Sequence, residues 1–162
     1  MIARSKLALM IATLTAVIIS APASVGAQGG SSAAPPTPVP INSGTFAKFM
    51  KASSSFASYI KQHPADATFG DSSFDNETEA ARQICGPRPG VQKAIAAGGL
   101  TCLEFVTLTT ELAKTQSAAA MVKSGEKVPP ELGVSSADID FYNRHAADVQ
   151  LALQEAGSAT AQ

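Results

Sequence analysis

The 162-residue sequence predicts an all-α protein: a small bundle of four main helices and one short helix, after a cleaved export signal and a disordered linker. Three observations carry that prediction. Apolar residues recur at steps of three and four, the spacing that lines one face of a helix. The stretches so patterned are bounded by capping residues, glycines and prolines. No stretch shows the convincing apolar–polar alternation of a half-buried strand.

The first 27 residues set the compartment. Arg4 and Lys6 give a positive start, and Leu7 to Ile19 is an apolar run broken only by Thr13 and Thr15. Val25-Gly26-Ala27 then supplies a small-residue cleavage pattern, so residues 1–27 read as a secretory signal peptide and the mature chain is expected to begin at Gln28. The apolar run falls short of the about 20 residues that span a bilayer, which disfavours the alternative of an uncleaved anchor and predicts no stable membrane insertion. Loss of Arg4 and Lys6 leaves ten basic against 13 acidic residues, 10 − 13 = −3. With no Lys/Arg cluster to neutralise phosphates, nucleic acid is excluded as the expected partner.

Residues 28–42, QGGSSAAPPTPVPIN, bury nothing and read as a Pro/Gly/Ser-rich linker. The helical domain is expected over 43–156, with 157–162 as a disordered tail. Its first helix runs from Gly44 to Gln62, where Phe46, Phe49, Met50, Ser53, Phe56 and Ile60 form the stripe and Lys48, Lys51 and Lys61 lie off it. His63-Pro64 ends it, because proline disfavours helical backbone in the residue before it.

A loop follows, with Asp66, Asp71 and Asp75 at intervals suggestive of calcium. Counted as an EF-hand from Asp71, however, the sixth place is Asn76 where glycine is needed and the twelfth is Arg82 where a bidentate Glu is needed. The better reading is that Asp75 or Asn76 caps a second helix ending at Cys85, with Glu77 and Glu79 in its positive first turn and Phe69 and Phe74 anchoring the loop. Gly86 is expected to close that helix in a left-handed turn, with Pro87 refusing continuation. Pro89 opens the short helix, PGVQKAIAA, and Gly98-Gly99 stops it.

Thr101 and Glu104 form a capping box that starts a long helix reaching about Lys123. Its buried face is expected at Val106, Thr109, Leu112, Ala113, Gln116, Ala119 and Ala120. Cys85 thus closes one helix and Cys102 opens another, 17 residues on. An out-and-back path through the short helix brings the chain home, and export places it in an oxidising compartment, so a Cys85–Cys102 disulfide is expected over two free thiols. After a Gly125 and Pro129-Pro130 loop, Ser135 or Ser136 caps the last helix, with Asp138 in its first turn. Ile139, Tyr142, Ala146, Val149 and Leu153 form its stripe.

The run PGVQKAIAAGGLTCLEFVTLTTELAKTQSAA, followed by VPPELGVSSADIDFYNRHAADV, resembles a group of small exported bacterial helical proteins of unknown function over about residues 89–153. That resemblance implies a helical fold and export. It lends no activity, substrate or catalytic residue.

Four residues are candidates for ligand contact: Met50, Asp138, Tyr142 and His145. Asp138, Tyr142 and His145 stand at i, i+4 and i+7, one helix edge on which a carboxylate can orient an imidazole. A small enzyme built on Asp138 and His145 would still need a nucleophile and an oxyanion-stabilising loop, and the sequence nominates neither. The placement of Met50 on the first helix and His145 on the last resembles the axial pair of soluble haem-b four-helix cytochromes, which makes a haem or other small-ligand carrier an alternative. With only two histidines, His63 and His145, neither cysteine has the companions of a metal site, and no cofactor is expected. The favoured expectation is a periplasmic or secreted binding module, engaging a protein or an apolar small ligand through a groove between helices; a structural or chaperone-like envelope protein is the third class.

Overall fold

The computed structural model describes residues 39–67 and 76–158. The expected signal peptide, the linker through residue 38, the loop residues Phe69, Asp71, Phe74 and Asp75, and the tail after residue 158 lie outside the described residues. Among the described residues the chain forms five α-helices, two 3₁₀ turns and no strand: α1 (Ser43–Gln62), α2 (Glu77–Cys85), α3 (Pro89–Ala96), α4 (Cys102–Ser124) and α5 (Ser136–Ser158). The 3₁₀ turns are Pro64–Ala67 and Pro130–Leu132. Three helices are long and two, α2 and α3, short.

The folded unit begins before the expected boundary at residue 43. Val39 and Ile41 pack on the core. Asn42 then caps α1: its Oδ1 accepts from the amides of Gly44 (2.9 Å) and Thr45 (3.0 Å), and its own amide donates to the Thr45 hydroxyl (3.1 Å). Three amides are satisfied, those of Asn42 and Thr45 reciprocally, so this part of the expected linker forms the capping turn of α1.

α1 is the central strut, packing on both α5 and α3, while α4 packs on α2 and α5. Phe46, Phe49, Phe56 and Ile60 are buried along α1 as their spacing demands. Phe105 of α4 stacks on Phe49 at 5.3 Å and meets Phe56 edge-on at 5.8 Å; Phe141 of α5 meets Phe46 edge-on at 5.4 Å. Each such ring contributes on the order of 1.5–3 kcal/mol by leaving water, and the aromatic geometry adds to it.

Two glycines let α3 approach α1. A Cβ on Gly98 would run into the backbone of Ala52, and one on Gly90 into the ring of Tyr59. Gly86, by contrast, has right-handed backbone (φ −53, ψ −52), not the left-handed turn expected of it. Its amide still bonds Arg82 O at 2.8 Å, and α2 stops because Pro87 follows. The α2 C-terminus gains a cap the sequence did not advertise: the Arg88 guanidinium donates to the carbonyls of Gln83 (2.7 Å) and Ile84 (3.3 Å).

The face predicted for α4 is corrected. Ala113 and Ala120 are exposed, and Thr109 and Gln116 half-buried, whereas Phe105, Leu108, Leu112, Thr115 and Ala119 line the core at alternating steps of three and four. Thr115 tolerates burial because its hydroxyl donates to the Glu111 carbonyl at 2.7 Å. Val106 is buried on another side, against Ala80 and Ala81 of α2. On α5 the whole expected stripe meets the core, with Tyr142 and Val149 buried and Ile139, Ala146 and Leu153 partly so, and Phe141 and Ala152 are buried beside it. Cys85 and Cys102 form a disulfide with their Cα atoms 6.5 Å apart, tying the end of α2 to the start of α4. Closing a loop of this length contributes about 3 kcal/mol in the chain-entropy model.

Candidate functional site

The nominated edge of α5 is built on a capping box and a bend. Ser135 precedes the helix; its amide (3.1 Å) and hydroxyl both donate to Asp138 Oδ2, and the Asp138 amide donates back to the Ser135 hydroxyl (3.2 Å). Asp138 is therefore engaged at the helix start. It is not the carboxylate that the structure sets beside His145.

Three turns along, α5 bends. His145 has φ −120 and ψ 19, non-helical values inside the helix, with neither glycine nor proline to account for them. Its imidazole packs against Phe141 (centroids 4.5 Å) and Phe46 (5.7 Å), rings from two different helices. The carboxylate nearest its Nδ1 is Asp148 Oδ2, at 4.0 Å.

Tyr142 lies buried in the core, and Met50 is half-buried at the core's margin. The structure thus brings His145 together with Phe46, Phe141 and Asp148. Asp138, Tyr142 and His145 do not form a polar triad: a cap, a core residue and a ring-packed imidazole occupy those three positions.

A second polar cluster escaped the sequence. At the end of α1, His63 stacks on Tyr59 with centroids 4.2 Å apart and planes 14° apart, and its Nδ1–H donates to the Tyr59 carbonyl at 3.0 Å. The Tyr59 hydroxyl donates to Asp66 Oδ2 at 2.6 Å. That hydrogen bond, together with partial burial and the negative charge of Asp66, raises the Tyr59 pKa and holds the phenol as a donor. The available signal was the i, i+4 spacing of Tyr59 and His63 at a helix end, with an aspartate within one turn beyond.

Elsewhere two carboxylates serve the first turns of their helices. Glu104 is pulled below the usual glutamate range, first by the Thr101 amide (2.7 Å), then by the Thr101 hydroxyl (2.9 Å) and Lys48. Glu79 is likewise lowered by bonds from Arg82 and Gln83. Among the described residues no group of three or more His, Cys, Asp or Glu side chains is placed to hold a metal ion, and no helix is long and apolar enough to cross a membrane. Comparison with known proteins finds no matching family model, no matching curated protein and no matching solved structure.

Proposed function

We propose that this chain is an exported, disulfide-closed helical module whose work is binding, with a protein or an apolar small ligand as its partner. The observation that carries the reading is the engagement of the polar groups nominated for chemistry: Asp138 caps α5, Tyr142 is buried in the core and His145 packs against Phe46 and Phe141. Export is supported by the pattern of residues 1–27 and by the Cys85–Cys102 bond, which persists in oxidising compartments. The resemblance to small exported helical proteins agrees with it.

Native mass spectrometry with an absorbance spectrum, on protein isolated from its own host, tests the binding role. A co-purifying protein or apolar molecule in fixed stoichiometry is the expected outcome. A turnover lost in His145→Ala but kept in the parent chain would replace the reading with an enzymatic one.

A further inference from the structure

Charge is segregated in space in a way that linear spacing conceals. The described residues hold ten Lys/Arg and eleven Asp/Glu side chains. Five of those cations, Lys48, Lys51, Lys61, Arg88 and Lys93, lie on α1, on α3 or next to α3, and none of the eleven carboxylates does. The two helices form one continuous layer, because Gly98 and Gly90 allow α3 to seat directly against Ala52 and Tyr59. All four lysines are exposed, with the exposed Ser54 and Ser58 between them on α1. Two carboxylates border this layer without lying on it: Glu104, on α4, which interacts with Lys48 and accepts from the Thr101 amide, and Asp66, past the end of α1, which accepts from the Tyr59 hydroxyl. α5 carries the opposite balance, with Asp138, Asp140, Asp148 and Glu155 against Arg144.

We infer that the α1–α3 face is an electrostatic docking surface for an anionic phospholipid bilayer, held there peripherally and without insertion. A charged lipid surface asks for clustered positive charge and no shape, and this face offers lysine amines and serine hydroxyls with no exposed large apolar side chain among them; among the described residues the exposed large hydrophobics are Val122 and Leu151, on α4 and α5. α1 contributes three of the exposed lysines and α3 the fourth, and each lysine facing an anionic leaflet adds to the attraction within a Debye length of the surface. The inference goes beyond the binding role proposed above. It depends on export only for which leaflet the protein meets, so localisation and vesicle binding can fail separately.

The test is co-sedimentation of the purified protein with vesicles of phosphatidylglycerol and phosphatidylcholine, against phosphatidylcholine alone. Binding is expected only to the anionic vesicles and is expected to fall steeply with added salt. The double variant Lys51→Glu/Lys93→Glu should lose at least about tenfold in partitioning. Lys51→Gln/Lys93→Gln should lose less, and Asp140→Asn/Asp148→Asn should lose none. Circular dichroism of each variant separates lost binding from lost fold. Equal binding to both vesicle types, or undiminished binding by both lysine variants, overturns the inference. So does lysine-dependent self-association without vesicles, which would make the acidic face of a second copy the true partner.

Discussion

Ser53 and Thr107 are buried, at 0% and 5% exposure, and neither hydroxyl has a hydrogen-bond partner among the described residues. A buried, unsatisfied hydroxyl costs about 1–3 kcal/mol, and an apolar group of the same shape removes that cost. Thr107→Val and Ser53→Ala are therefore each expected to raise stability by about 1 kcal/mol, read from urea midpoints at unchanged m-value. Glu104 behaves differently. Because its folded pKa lies below its unfolded value, its contribution is present above the unfolded glutamate pKa and is lost as pH falls through the lower folded value. Glu104→Gln should flatten stability across that acidic window and leave its slope near neutrality unchanged, as acid titrations of both proteins would show. At this scale the sequence was a good guide wherever chemistry is local. The Thr101–Glu104 box follows from spacing alone, and Asn76, one of the two caps the sequence offered with Asp75, accepts from the Glu79 amide three residues on. The same three-residue spacing marks Ser135–Asp138, and it is the signal that assigns Asp138 to capping rather than to His145.

At the scale of elements, the contact between α1 and α3 depends on a missing side chain. Gly98 faces Ala52 backbone, which cannot move aside, whereas Gly90 faces the Tyr59 ring, which can. Gly98→Ala is expected to cost about 1–3 kcal/mol by overpacking. Gly90→Ala should cost less and act by displacing the Tyr59 hydroxyl from Asp66; thermal melts of the two variants, with the Tyr59 phenol followed by ultraviolet titration, distinguish these outcomes. Neither close approach is legible from sequence, where Gly90 reads as part of a Pro-Gly start and Gly98 as a stop. The phase of α4 was hidden for a related reason. Its first turns bury residues toward α2 as well as toward the core, so Phe105, Val106, Thr107 and Leu108 are consecutively buried and no single stripe stands out. In α5 Tyr142 and Val149 of the expected stripe are buried and Phe141 and Ala152 join them, because a helix packed on both α1 and α4 buries a wider arc than one stripe.

For the whole molecule, helix number and order were readable because proline, glycine and capping residues punctuate the boundaries between successive helices. The assembly of α1, α4 and α5 around Phe49, Phe105, Phe46 and Phe141 required the third dimension, as did the gathering of positive charge on α1 and α3. The disulfide is the one covalent tie between α2 and α4. Replacing both Cys85 and Cys102 by serine is expected to lower stability by about 3 kcal/mol, measured by denaturant unfolding, with the helical circular dichroism retained under native conditions. The central claim is an exported, disulfide-closed bundle, and the most direct measurement is the intact mass of protein recovered from outside the host's cytoplasm, alkylated without reductant. A chain beginning at Gln28, two hydrogens lighter than its dithiol form and carrying no alkyl group, is the predicted result. A chain retaining residues 1–27, or one alkylated at both cysteines, would contradict it.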